Sequence, residues 1–380
     1  MKQYSKTNIQ FIFQVLLIAC IVHNNLDGQT NPNFNINLLF NYNSAEQSIA
    51  LFNDQPVTTE TLAGLRGNVI SASTAQLIEN NSSPSSILQQ YLDSLKYHQI
   101  IKNDIYHLED ARRNAVKIDE LLTQFQKRNF SAKVVATVEQ IFPADASVNI
   151  TIPIYVVTLG HENVDAFVRR IAWHDDSPRF VGENEGELTI VINLAHAVNY
   201  GRNPDERIVS LLGVVAHEVF HAAFGAYKDG SPAWKSFYAH HRQPIDQLLD
   251  LTQNEGIAYY LSMEEQLHGN TPPDWFDRTR EVFVSFNANA SALLSDHLTP
   301  RQASELLHKA NLSGYRDSYG SMTGLAIARE IDLHLGRAAL IETIHNGPYD
   351  FFQKYINLTE QDSNLPKLHP NLLEALKNGG

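Results

Sequence analysis

The sequence predicts a mostly helical α+β protein with one small sheet. Three observations carry this expectation. Apolar residues recur at helical spacing through residues 31–145 and again from Asn203 onward. Only two segments, Asn149–Leu159 and Glu187–Leu194, combine β-branched and apolar residues between turn signals. Strands and helices do not alternate in βαβ fashion, which argues against a doubly wound parallel sheet.

The first element reads as a bacterial export signal. Lys2 and Lys6 precede Phe11–Val22, a twelve-residue apolar run broken only by Gln14. A membrane span takes about 20 residues, so this run fits a signal sequence. Leu17-Ile18-Ala19-Cys20 also resembles a lipobox, making Cys20 a candidate lipid anchor. Residues 1–29 are assigned to the signal. No later stretch is expected to span a membrane, and the mature protein is expected in the periplasm, on the cell surface as a lipoprotein, or secreted.

Ser44 is placed to cap a helix running through Asn53, Asn80–Pro84 is a loop by composition, and Ser86–Tyr97 has helical spacing. Asp104–Arg128 predicts a longer helix with a core-facing stripe of Ile105, Leu108, Ala111, Ala115, Ile118, Leu121, Leu122 and Phe125. The pattern changes near Pro143. That sets the expected boundary between a helical N-terminal region, 30–145, and a second unit, 146–380. Pro153 suggests an edge position or a bulge for the first strand. The turn Gly182–Gly186 leads into Glu187–Leu194, expected as another strand ahead of a helix over Asp205–Phe224.

The charge balance is acidic, with 42 Asp and Glu against 29 Lys and Arg, which argues against a nucleic-acid partner. Cys20 is the sole cysteine, so neither a disulfide framework nor a cysteine-based zinc site can be built. A metal site here has to use His, Asp and Glu.

Residues 217–221 read His-Glu-Val-Phe-His, inside the predicted helix. At about 100° per residue, His217 and His221 lie about 40° apart, one turn from each other, with Glu218 on the same side. Two neutral imidazoles can bind one Zn²⁺ there while the Glu218 carboxylate reaches a metal-bound water. A glycine and a third histidine, three and six residues further on, would be one way to complete the site. Those positions hold Phe224 and Tyr227. A glutamate on a later helix is the other common solution. Glu255, in Gln253–Leu261, fits it, 34 residues after His221 and beyond an intervening helix expected over Trp234–Leu249. Gly256 and Ala258 beside it allow close helix packing.

His-Glu-Val-Phe-His followed by Asn-Glu-Gly-Ile-Ala resembles the gluzincin zinc metallopeptidases, and within them poorly characterised bacterial peptidases of the same layout. The similarity covers roughly residues 150 to 360. It implies a zincin-like catalytic unit with Glu187–Leu194 as its edge strand and a helical C-terminal lobe, a peptide or protein substrate, zinc ligands His217, His221 and Glu255, and Glu218 as general base. It extends to Tyr319–Leu340, from which Tyr319 is implied as donor to the oxyanion, with Tyr315 and His345 as rivals. Better-known gluzincins carry an Asp four residues after the glutamate ligand to orient a ligand histidine. Tyr259 stands there, leaving that partner unassigned. His240-His241, His161, His174 and His196 are expected at the surface. Besides a zinc peptidase, the residues admit a zinc hydrolase of non-peptide amides or esters, and a non-catalytic binding protein. Intact Glu218 speaks against the last.

Overall fold

The computed structural model describes residues 31–379, apart from 80–86, 161–165, 176, 182–184, 268–269, 296 and 312–317. The export signal with Cys20, the Asn80–Pro84 loop, His161, the start of the 182–186 turn and Tyr315 therefore lie outside the described residues.

The chain begins with strand β1 (Phe34–Asn41). Helices α1 (Asn43–Phe52), α2 (Thr59–Gly64), α3 (Arg66–Ile78), α4 (Ile87–Lys96), α5 (Leu108–Arg113), α6 (Ala115–Lys127) and α7 (Phe130–Glu139) follow. Strands β2 (Val148–Val157), β3 (Ala166–His174), β4 (Ser177–Phe180) and β5 (Glu187–Asn193) come next, then the short α8 (Leu194–Ala197). The rest is helical: α9 (Pro204–Gly230), α10 (Pro232–His240), α11 (Pro244–Leu267), α12 (Trp275–Leu293), α13 (Pro300–Ala310), α14 (Tyr319–Leu335), α15 (Arg337–Asn346), α16 (Pro348–Gln361) and α17 (Pro370–Gly379). The protein is thus mostly helical with a small mixed sheet, an α+β arrangement.

The sheet runs in the order β1-β2-β5-β3-β4. β1 pairs in parallel with β2 from Phe34↔Val148 to Asn41↔Tyr155, and β2 pairs in parallel with β5 from Ile154↔Ile190 to Val157↔Asn193. β3 is antiparallel to both β5 and β4. Four expectations change here. Residues 30–145 are not wholly helical, because they supply β1. The boundary at 145/146 falls inside one sheet and one core, in which Leu38, Phe125 and Val134 join Ile154, Val215, Phe220 and Leu261. β5 is an interior strand, and β1 and β4 are the edges. Pro153 lies in interior β2, aligned with Leu39 and one residue before the β5 pairing starts. Its missing N–H therefore falls outside the doubly paired part of the strand.

Among the helices, the 104–128 stripe is buried as expected, but the helix breaks at Asn114 into α5 and α6. Ser44 is buried inside α1, which has no side-chain cap. The intervening helix is shorter than expected: α10 stops at His240, and α11 already contains Leu249. His240 is exposed, whereas His241 is partly buried, its ring stacked on Phe237 and its Nδ1 3.6 Å from Asp246.

Three helices, α9, α11 and α14, pack together through α11. α9 is long and apolar enough, with mean hydropathy 1.6, to match a membrane span by composition, contrary to the sequence expectation. Its apolar residues instead meet α7, β2 and α11 in the core. α11 lies between α9 and α14, buried on both sides. It contacts α14 with almost no side chain between: a Cβ on Gly324 would stand 1.9 Å from the Thr252 carbonyl oxygen, and one on Gly256 2.2 Å from the Gly324 carbonyl carbon. On the other side Lys228 of α9 is ion-paired with Asp250 of α11 and lies over the rings of Phe224 and Trp234. Lys228 is buried and Asp250 partly so, and the pair opposes any slip of α11 along α9.

Candidate metal centre

The start of α9 sets the direction of its histidines. Asn203 caps the helix, its side-chain oxygen accepting the Glu206 N–H at 2.9 Å, with Pro204 in the first turn and Asp205 and Glu206 favoured by the helix dipole. From there α9 and α11 run antiparallel, and facing positions can be read off in turn. Gly213 lets the Ser262 backbone approach, a Cβ there lying 3.0 Å from the Ser262 carbonyl oxygen. One turn on, His217 hydrogen-bonds the Ala258 carbonyl and packs edge-on against Tyr259, centroids 4.5 Å apart. One turn further, His221 meets Asn254 and Glu255. Lys228 and Asp250 close the series.

This brings together three of the residues singled out in the sequence. His217 Nε2 and His221 Nε2 are 3.0 Å apart, and Glu255 Oε2 lies 3.7 Å from the first and 3.5 Å from the second. A tetrahedral zinc with bonds of about 2.0–2.1 Å needs ligand atoms about 3.3 Å apart, so the triangle has the size such an ion requires. The donor set, two imidazole nitrogens and one carboxylate oxygen, also suits zinc. The three atoms could hold a metal ion.

The electrostatics fit a cluster that could exchange a proton for a cation. Burial pushes the His217 imidazole well below its ordinary range, and the adjacent His221 pushes it the same way. Burial also opposes charge on His221, but the Glu255 carboxylate outweighs it and lifts His221 to about 9. Burial would raise Glu255, yet the attraction of His221 leaves it below the usual carboxylate value. At neutral pH the metal-free triad thus carries one proton, on His221. A metal competes with that proton for Nε2. Zinc affinity should therefore rise about tenfold per pH unit up to about pH 9 and level off above it, with one proton released per ion near neutrality. Calorimetry in buffers of different ionisation enthalpy would count the proton, and a flat affinity from pH 6 to 8 would contradict the picture.

Around the triad lie residues that the sequence reading did not single out. Asn254 Oδ1 is 3.1 Å from His221 Nδ1, and the Asn311 side chain hydrogen-bonds Glu255. The charge of Glu218 acts on Arg169 of β3, whose burial works against its own charge. Asn254 could have been suspected from its place directly before Glu255. Asn311 and Arg169 have no local signal, because only tertiary packing brings them close.

Tyr319 is engaged with α13 and α12. Its hydroxyl donates to the Leu306 carbonyl at 2.7 Å, its ring meets Phe286, and burial raises the phenol pKa. This hydrogen bond ties the start of α14 to α13. His345 is bound elsewhere, its Nδ1 3.1 Å from the Tyr227 hydroxyl. His174 is exposed, and His196 packs beside Tyr200.

A model of one protein family matches residues 36–364; the family is described as "Putative zinc dependent peptidase (DUF5700)". No curated protein and no solved structure matches the chain.

Proposed function

This chain belongs to the DUF5700 family, and on that premise we propose that it is a zinc-dependent peptidase of the gluzincin type. The observation that carries the reading is the triangle of His217, His221 and Glu255, of a size for zinc, with Glu218 next to a ligand on the same helix. His217, His221 and Glu255 hold the ion. Bound zinc supplies Lewis acidity, lowering the pKa of a coordinated water to about 7 and polarising the scissile carbonyl. Glu218 takes the proton from the attacking water and delivers it to the leaving amine. The neutral imidazole of His217, backed by the Ala258 carbonyl, leaves the site's negative charge to the two glutamates. The zincin-like unit, in this reading, is the α9–α11–α14 layer with the sheet against α9. The charged and apolar segments of residues 1–22 support export, with Cys20 as the candidate anchor.

The test compares wild type with Glu218→Gln for zinc content and for cleavage of a peptide library. Both proteins should hold about one zinc. Cleavage should fall by at least about 10²–10⁴-fold in the variant, the usual worth of a general base. Folded wild type without zinc would sink the metal reading, and cleavage retained by the variant would remove Glu218 from its role. Zinc bound with amides or esters hydrolysed but no peptide cut would move the substrate out of the peptide class.

A further inference from the structure

We infer that Asn254 is the positioning residue for His221. The inference rests on the zinc reading of the triad. The two ring nitrogens of His221 are divided between two jobs. Nε2 faces His217 Nε2 at 3.0 Å and Glu255 Oε2 at 3.5 Å, so it is the ligand atom. Nδ1 points away from them, 3.1 Å from Asn254 Oδ1. A histidine ligand needs its lone pair on the metal side and its proton on the far side. With the carboxamide oxygen towards Nδ1, the Nδ1 proton is held in place, and Nε2 is the nitrogen that gives up its proton to a metal. With the amide NH₂ turned there instead, Nδ1 would have to accept and the proton would sit on Nε2, in the metal's place. The carboxamide orientation therefore selects the tautomer.

The backbone leaves Asn254 little freedom to do anything else. It precedes Glu255 in α11, held against α9 at Gly213–Ser262 and against α14 at Gly256–Gly324. One helical turn thus supplies a ligand in Glu255, the partner of His221 in Asn254 and the partner of His217 in the Ala258 carbonyl. Both histidine partners are neutral amide oxygens. A carboxylate in the Asn254 position would make the imidazole a stronger donor. The neutral partner keeps the site's charge at that of the ion less one carboxylate.

The experiment measures zinc affinity by chelator competition for wild type, Asn254→Ala and Asn254→Asp, and records the imidazole ¹⁵N shifts of His221. Thermal unfolding of the metal-free proteins checks folding independently of the metal. Asn254→Ala should bind zinc 10–100-fold more weakly, the usual cost of a lost outer partner. Its metal-free His221, observed above pH 9 where the ring is neutral, should lose its preference for the Nδ1 proton. Asn254→Asp keeps the acceptor and should bind at least as tightly as wild type. Equal affinity in wild type and Asn254→Ala, or equal loss in Ala and Asp variants, would overturn the inference while leaving the zinc site standing. Wild type that folds without binding zinc would instead remove the reading on which it depends.

Discussion

Gly324→Ala should unfold or grossly loosen the helical layer that carries the triad. The new Cβ would stand 1.9 Å from the Thr252 carbonyl oxygen and 2.8 Å from the Gly256 Cα. Both obstacles are backbone, so no side chain can turn aside, and α11 and α14 would have to separate. Overpacking a core costs about 1–3 kcal/mol where side chains can move. Here the cost should reach at least about 3 kcal/mol, among the larger effects of single substitutions. Gly256→Ala meets the Gly324 backbone at 2.2 Å and should behave alike. Gly225→Ala is the control: it lies in α9 with nothing within 4 Å of its would-be Cβ. Removing a helical glycine there should stabilise by about 0.5–1 kcal/mol. Denaturant unfolding of the three variants should give that order. Because Glu255 stands one residue from Gly256, zinc retention should fall with the first two and not with the third. A Gly324→Ala protein of wild-type stability would mean that the two helices are further apart than described.

The same helix shows why some of the fold could be read from the sequence and some could not. His217, Glu218 and His221 were legible because their relation depends only on helical geometry, which a few residues define. Glu255 was legible through its neighbours, since Gly256 and Ala258 announce close packing. The extent of α11 was not. Between α9 and α14 it is buried on both sides, so it lacks the one-sided apolar stripe that marks a helix, and its start was placed nine residues too late at Gln253 rather than Pro244. β1 was missed for a different reason. Phe34, Ile36 and Leu38 alternate inward with Asn35, Asn37 and Leu39 outward, a clear period of two. Its partner β2, however, begins more than a hundred residues later, and nothing local says that the alternation will find a strand to pair with. β3 carries Arg169 and Arg170 at its centre, which hides it from an apolar criterion. Where a tyrosine hydroxyl ends is not written in its spacing, and that of Tyr319 ends at the Leu306 carbonyl.

Glu255→Ala should cost the site its metal while sparing the fold. Glu255 is the only negative member of the triad, and Ala leaves two neutral imidazoles facing a divalent ion. Zinc in a four-ligand site is bound with about 10–16 kcal/mol, or about 3 kcal/mol per ligand, so affinity should drop at least about 100-fold. Chelator competition would measure this. Glu206→Gln serves as the comparison: Glu206 lies at the start of the same helix, bonded to Arg202 rather than to the triad, and its loss should leave zinc affinity unchanged. A second readout separates a lost ligand from a disturbed structure. The raised pKa of His221 in the metal-free protein comes from the Glu255 charge, which overcomes the burial that would lower it. In Glu255→Ala only burial remains in force beside weaker neighbours, so the His221 titration followed by NMR should move from about 9 to distinctly lower pH. His221 resonances that stay in place while affinity falls would indicate that the carboxylate does not face Nε2. An unchanged affinity would take Glu255 out of the metal site and leave the two histidines in need of another third ligand.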